Sequence, residues 1–346
     1  MTDRRRYRVA QWATGNIGTR SLRAVIEHPS LDLVGLYVYA DDKVGRDAGD
    51  LCGAEATGVL ATREIDEILA LNADCVLYMP RACDFDDVCV LLASGANIVS
   101  TRGEFHRPES LKPDVRARVE KACAEGATSI HSTGSSPGFI TEALPVVLTS
   151  LARRLDCLTI DEFADLSTRD SPGLLFEVMG MGKAPAAFDE RRLSHGRVSF
   201  GPSLQTLAEA LDMPIDDIEA TGEVAVARNP IEIAAGTVPA GTVAAQRLSV
   251  SGIRDGRTVL QFRANWYCGT DLDPAWDLRD TGWRVVVEGD TPLDVQIGFP
   301  VPPERWGQVS PGLTAHRAVN AVPVVCDAPP GIQTTLDLPQ VIAELG

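Results

Sequence analysis

The segment Val9-Ala10-Gln11-Trp12-Ala13-Thr14-Gly15-Asn16-Ile17-Gly18 constrains the fold more than any other part of this 346-residue chain. An apolar run, Tyr7 to Ala13, empties into a short glycine-bearing turn, and an amphipathic stretch, Ile17 to Glu27, follows at once. Glycines placed this way at a strand-to-helix junction serve two purposes. Gly15 lets the backbone approach a bulky anion, and Gly18 lets the helix pack closely on the strand. The N–H groups that open the helix then point at that anion. The pattern is A-x-G-x-x-G, a dinucleotide-binding turn with Ala13 in place of its first glycine. Ala13, Thr14, Gly15, Asn16, Ile17 and Gly18 therefore form the first cofactor-binding set. A second β-type run, Leu33 to Tyr39, follows the helix, as a βαβ unit requires.

Beyond this unit, short β-branched runs keep alternating with helical segments: Glu64 to Leu71, Cys75 to Met79, Asp84 to Ala93, Asn97 to Ser100, Thr128 to His131 and Thr141 to Leu151. Such alternation implies a parallel sheet with helices on both faces. From about Leu155 the texture changes to longer alternating segments: Leu158 to Phe163, Gly222 to Val226, Ala245 to Ile253, Val259 to Tyr267 and Trp283 to Glu288. An Asp255-Gly256 turn joins two of them. The fold class is thus α/β, a Rossmann-type doubly wound parallel sheet with a second α+β domain of mostly antiparallel sheet. The expected domains are 1–153 for the dinucleotide, 154–310 for substrate and dimerisation, and 311–346 as a C-terminal segment, helical over Pro311 to Asn320, that returns to the first domain. With no long linker, the domains are expected to enclose a cleft, where ligand sites tend to lie.

The end of the second strand selects the dinucleotide, because an acidic residue there accepts from the ribose 2′-OH of NAD. If the strand ends at Tyr39, the following Ala40 is not acidic, and Lys43 or Arg46 is placed to pair with a 2′-phosphate. Tyr39, Ala40 and Lys43 join the cofactor set, and the reading favours NADP while Asp41 and Asp42 keep NAD open. Pro80, at the end of the Cys75 to Met79 run, and Ser100 and Thr101, at the end of Asn97 to Ser100, complete the strand ends that face the cofactor. Glu104 follows Gly103 in the loop after that strand and is the candidate proton carrier. His106, two residues on, is a second proton carrier or a surface residue, and the surface is the favoured reading.

Composition removes other classes. The net charge is -16, with basic residues scattered, so nucleic acid is not an expected partner. No apolar run is long enough to span a membrane, and the start MTDRRRYRVAQW lacks a leader pattern, so the chain is expected in the cytoplasm. The eight cysteines include no CxxC pair and the five histidines no ligand spacing. Reduced, buried thiols and no metal are the expectation.

Five strings together carry a family likeness: Gln11 to Gly18, Tyr39 to Gly49, Asn97 to Phe105, Gly134 to Phe139, and Ala315 to Pro323. In these strings the chain resembles the 2,4-diaminopentanoate dehydrogenases and the related native amine dehydrogenases, which have a dihydrodipicolinate-reductase-like first domain. The resemblance implies NAD(P)-dependent interconversion of a primary amine with a ketone or aldehyde plus ammonia. It puts Glu104 in the place of the family's catalytic acid and Asn320 in a position close to the cofactor. Arg102-Gly103 stands before Glu104 where the diamine enzymes have Cys-Glu, so the resemblance does not carry diaminopentanoate over as the substrate. Phe139 is expected beside the nicotinamide, and Phe163, Phe176, Met179 and Trp266 are the apolar pocket candidates. Arg169 and Arg263 keep open a substrate carboxylate. The long strands of the second domain suggest a homodimer. The alternatives are a dihydrodipicolinate reductase-like imine reductase and a non-catalytic NADP(H)-binding sensor. The first is disfavoured because no two histidines are adjacent, and the second because a sensor needs no proton carrier at Glu104.

Overall fold

A computed structural model describes residues 5–345. The chain runs β1 (Tyr7–Trp12), α1 (Asn16–Ile26), β2 (Leu31–Tyr37), α2 (Ala48–Cys52), β3 (Ala61–Thr62), α3 (Ile65–Leu69), β4 (Cys75–Tyr78), α4 (Phe85–Ala93), β5 (Asn97–Ser100), α5 (Pro113–Gly126) and β6 (Ser129–Ser132). It continues α6 (Leu144–Thr149), β7 (Leu155–Asp165), α7 (Glu190–Ala210), β8 (Asp217–Ala227), β9 (Ile231–Ile233), β10 (Gly236–Val238), β11 (Val243–Arg254) and β12 (Arg257–Tyr267). The last elements are β13 (Leu272–Asp273), β14 (Gly282–Gly289), β15 (Leu293–Gly298), α8 (Pro303–Cys326) and β16 (Gly331–Gln333). Two compact units result. One comprises the chain up to Phe139 together with Gln308 onward, and the other Ile140–Gly307.

The first unit is a seven-stranded sheet in the order β16-β6-β5-β4-β1-β2-β3, with every neighbouring pair parallel. The order reverses between β1 and β4, the switch point of a doubly wound sheet. Strands β1 and β4 are buried almost throughout, as strands covered on both faces must be. Helix α1 buries Gly18, Ser21, Leu22 and Val25, a spacing that puts all four on one face. Helix α4 is started by the Asp84 carboxylate, which accepts from the N–H groups of Asp86 and Asp87. Beneath the other face, Ala318, Val319, Val322 and Val325 of α8 join Val9, Cys75, Leu77 and Val99 in one apolar cluster.

The second unit is built on a sheet ordered β13-β8-β11-β12-β7-β14-β15, antiparallel except for the β12–β7 pair. Helix α7 covers one face: Phe200 stacks on Phe262 at 4.0 Å, and Gly196 lets the helix lie on Leu248. Strand alternation turns Asp161, Ser249, Arg263 and Asn265 to the opposite face.

Several boundaries differ from the sequence reading. Strand β2 ends at Tyr37, which pairs with Thr62, the last residue of the two-residue β3. The helix expected over 141–151 is instead a wide π-type turn through Ser135–Ala143 followed by the short α6. Ser136 and Pro137 are extended there, and Gly138 has φ +121°, which only glycine adopts readily. Helix α8 starts at Pro303 rather than Pro311, and the 21-residue α7 was not foreseen, its internal Gly196, Gly201 and Pro202 masking it as a loop. All eight cysteines are free, but only Cys75, Cys123 and Cys268 are fully buried. Among the described residues no helix is long and apolar enough to cross a membrane, and no three His, Cys, Asp or Glu side chains converge as a metal site.

Candidate functional site

The turn after β1 is shaped by close backbone contacts. Ala13 lies at φ 74°, the left-handed conformation that a glycine would occupy without strain. That conformation brings its carbonyl under α1, where a Cβ on Gly18 would sit 2.2 Å from the oxygen. Gly18 is therefore obligatory. Gln11, fully buried in β1, donates from Nε2 to the Ala13 carbonyl at 3.0 Å and so fastens the turn from below. Gly15 is different: it is exposed, and a Cβ there would meet nothing within 4 Å. It caps α1 with no side-chain bond, and the first helical turn holds no acidic residue. Uncapped N–H groups with open space over Gly15 fit the pyrophosphate of a dinucleotide. Asn16 is held by Arg20, which donates to its Oδ1 at 2.6 Å.

After β2, Tyr37 stacks on Trp12 with ring centroids 3.7 Å apart, and the Tyr39 hydroxyl accepts from Trp12 Nε1 at 3.0 Å. Neither Val38 nor Tyr39 offers a carboxylate at the strand end. Asp41, the first acidic residue beyond it, is exposed and paired with Arg63. Lys43 reaches back to the glycine turn, its Nζ 3.1 Å from the Thr14 carbonyl and 3.0 Å from Thr14 Oγ1. Beside these residues an open basin of about 740 Å³ is lined by Tyr37, Asp41, Thr62, Arg63 and Glu64, among others.

Two strands away from β1 in the sheet, β5 ends in the loop that carries Glu104. At about 4.8 Å per strand this is about 10 Å across the same sheet edge. Ser100 Oγ donates to the Tyr78 carbonyl at 2.9 Å and accepts from the Arg102 N–H at 3.0 Å. Ser132 Oγ, from the end of β6, donates to the Arg102 carbonyl at 2.6 Å. Glu104 lies in a single 3-10 turn, anchored by the buried Phe105, which packs edge-on against Phe85. That anchor also draws His106 inside, to 4% exposure, and so corrects its expected surface position. Glu104 Oε1 accepts from Arg102 Nη2 at 2.8 Å, whereas Oε2 is buried and has no hydrogen-bond partner. Cys83 is close by, its thiol pushed up to about 12 by burial first and by the Glu104 carboxylate second. Pro80 is buried at the end of β4, and Thr101 is half-buried at the end of β5.

The sequence candidates after β1, β2, β4 and β5 thus share one edge of one sheet. Phe139, beyond β6, is half-buried with the Arg317 guanidinium 5.8 Å from its ring centre. Asn320 does not join them. It faces His28, past the C-terminal end of α1, while the glycine turn lies at the N-terminal end. In the second unit Phe163 is buried, and Phe176, Met179 and Trp266 pack partly buried against the same apolar cluster. Arg263 is committed to a two-toothed ion pair with the buried Asp161, both bonds 2.6 Å, and so is not free for a substrate carboxylate. Arg102 and Gln11 were missed by the sequence reading. A polar residue at an inward position of an apolar strand was the available signal for Gln11.

A doubly wound parallel sheet with an uncapped glycine turn after its first strand, and a part-buried carboxylate on the same edge, is the architecture of a dinucleotide-binding domain. The 2,4-diaminopentanoate dehydrogenase C-terminal domain model matches residues 139–346. An amine dehydrogenase from Streptomyces virginiae is 31% identical over 342 residues, covering 95% of each chain. A 2,4-diaminopentanoate dehydrogenase from Acetoanaerobium sticklandii is 23% identical over 266 residues, 76% of this chain and 72% of that one. The solved amine dehydrogenase of Mycobacterium smegmatis shares the fold, with a TM-score of 0.74 at 18% identity over 98% of both chains. The chain belongs to the 2,4-diaminopentanoate dehydrogenase family, as an NAD(P)-dependent oxidoreductase acting on CH–NH2 donors.

Proposed function

We propose that this protein interconverts a primary amine with a ketone or aldehyde plus ammonia, prefers NADP, and uses Glu104 as its proton carrier. The observation that carries the reading is the Glu104 carboxylate on the cofactor edge of the sheet, with one oxygen held by Arg102 and the other buried and unpartnered. A bound nicotinamide accepts the hydride in amine oxidation and donates it in the reverse direction. The chain's own residues do the rest. An ammonium has no lone pair to assist hydride loss, so Glu104 Oε2 first takes a proton from the substrate nitrogen. Glu104 passes that proton to solvent, water adds to the electron-poor carbon, and the regenerated carboxylate accepts the water's proton and returns it to the nitrogen, so that ammonia can leave. Oxidation converts one ammonium, one water and NADP⁺ into the carbonyl, NH4⁺, NADPH and one proton.

The preference for NADP is supported by the absence of a carboxylate at Val38 and Tyr39 and by the basic Lys43 against the glycine turn. The cofactor set in this proposal is Ala13 to Gly18 with Tyr39, Ala40, Lys43, Pro80, Ser100 and Thr101. The long strands of the second unit's sheet, up to the twelve residues of β11, support a homodimer, which light scattering after size exclusion would test.

The decisive experiment follows NADPH formation over a panel of primary amines, amino acids and 2,4-diaminopentanoate, with NADP and NAD, beside Glu104→Gln. General acid–base catalysis is typically worth about 10²- to 10⁴-fold, so the variant should lose kcat by about that factor while binding NADPH normally. Amine turnover that survives in Glu104→Gln would reject the carboxylate, and no turnover of any amine in either direction would reject the reaction.

A further inference from the structure

We propose that Arg102 is a positioning residue for Glu104: it immobilises one carboxylate oxygen and thereby dedicates the other, Oε2, to proton transfer. The proposal rests on the reading of Glu104 as proton carrier.

The guanidinium is tied at both ends. Its Nη1 donates to the Arg81 carbonyl at 2.9 Å, in the loop after β4, and its Nη2 donates to Glu104 Oε1 at 2.8 Å. A guanidinium is planar and presents its donors in fixed directions, so anchoring one nitrogen fixes where the next one points. The main chain of Arg102 is equally constrained. Its N–H is bonded to Ser100 Oγ at the end of β5, and its carbonyl accepts from Ser132 Oγ at the end of β6. The chain of support therefore runs from two strands of the sheet, through the Arg102 backbone and fork, to a single carboxylate oxygen. Gly103, between the two residues, has no atom within 4 Å of where a Cβ would stand, so nothing crowds the clamp from that side.

An ordinary surface ion pair would leave both partners mobile in water. Here both side chains are only about 30% exposed, at 31% for Arg102 and 29% for Glu104, and Glu104 Oε2 and Arg102 Nε are buried without partners. An unclamped carboxylate could rotate and present either oxygen at varying distance. Proton transfer needs the acceptor within about 2.6–3.2 Å of the proton's heavy atom, and a misplacement of about 1 Å can cost about 10²-fold in rate. Cys83 cannot substitute as the carrier, because burial holds its thiol neutral, at about 12.

The test compares Arg102→Met, Arg102→Lys, Glu104→Gln and the Arg102→Met/Glu104→Gln double variant in the full chain. The assay is reductive amination of pentanal with ammonium and NADPH, with NADPH binding by fluorescence titration and a crystal structure of Arg102→Met. We expect Arg102→Met to lower kcat at least tenfold with the pentanal KM within threefold and NADPH binding within twofold of the parent. Arg102→Lys, which keeps the charge and one donor, should recover at least a third of that loss on a logarithmic scale. The double variant should be no slower than Glu104→Gln alone, since the two residues act as one unit. Full turnover in Glu104→Gln would overturn the proton carrier and the clamp with it. An inactive Glu104→Gln beside an Arg102→Met of parental kcat would overturn the clamp alone. Should pentanal not be a substrate, the crystal structure decides: a Glu104 carboxylate unmoved in Arg102→Met refutes the positioning role.

Discussion

Gly15 and Gly18 stand three residues apart in one turn, yet their replacement by alanine should have separable effects. At Gly18 the new methyl would lie 2.2 Å from the Ala13 carbonyl oxygen, and restoring ordinary contact at 3.4 Å moves the turn or the helix by more than an ångström. Overpacking of this kind costs about 1–3 kcal/mol. The moving carbonyl also strains its bond to Gln11, worth about 1 kcal/mol. A total of about 2–4 kcal/mol corresponds to a fall in melting temperature of about 5–10 °C. At Gly15 the methyl would meet nothing, and φ is -73°, which alanine adopts freely. Alanine is a poorer cap than glycine by about 0.5–1 kcal/mol, and the stiffer unfolded chain returns about 0.4–1 kcal/mol, so the melting temperature should hold within about 2 °C. The cofactor result is different. A methyl projecting from the cap intrudes where the pyrophosphate must approach, and NADPH affinity should fall at least tenfold, about 1.4 kcal/mol, in both variants. Differential scanning fluorimetry and NADPH fluorescence titration measure the two quantities on the same samples. A Gly15→Ala protein that binds NADPH like the parent, or a Gly18→Ala protein that melts like it, would refute this account of the turn.

Three further outcomes are expected. Ala13→Gly removes a left-handed alanine at φ 74° and should raise stability by about 1 kcal/mol, seen as a higher urea midpoint at unchanged NADPH affinity. Asp161→Ala leaves Arg263 without its partner in the second unit and should cost about 3–5 kcal/mol, whereas replacing both residues by apolar ones should cost much less, as a double-mutant cycle in urea would show. Asp47 accepts from the N–H groups of Gly49, Thr57 and Gly58, led by Thr57, and Asp290 from those of Arg154 and Arg153, led by Arg154, so both are held below their ordinary value of 3.8. A depressed carboxylate stabilises the fold fully above its unfolded value and loses that contribution as pH falls through its folded one. Urea midpoints should therefore drop on going from pH 5 to pH 2, and less steeply in Asp47→Asn, a comparison made at constant ionic strength.

Legibility in the sequence followed the range of the interactions. The glycine turn could be read because its demands are local: two glycines, one strand before and one helix after. The carboxylate of Glu104 could be placed because parallel strands deliver their C-terminal loops to one edge. The ion pair of Arg102 could not, because it depends on a rotamer fixed by the Arg81 carbonyl, twenty-one residues earlier in the chain. Asn320 failed for a related reason: being on the returning helix says nothing about which end of α1 it meets. Helix α7 was hidden by glycines and a proline that ordinarily interrupt helices, and here the glycines serve close packing, as Gly196 does on Leu248. The end of β2 was misjudged by two residues because its pairing runs out with β3, a strand of two residues with no signal of its own.

The first unit is assembled from the two ends of the chain, and that has a bearing on how it matures. When residues up to Phe139 have left the ribosome, six of the seven strands are available, but the face formed by Val9, Cys75, Leu77 and Val99 lacks its cover. Ala318, Val319, Val322 and Val325 arrive only after the whole second unit has been synthesised. At about 5–20 residues per second, that interval lasts on the order of ten to forty seconds. During it the nascent chain presents an uncovered apolar surface, a natural substrate for a chaperone, while the second unit is free to fold from its own contiguous sequence.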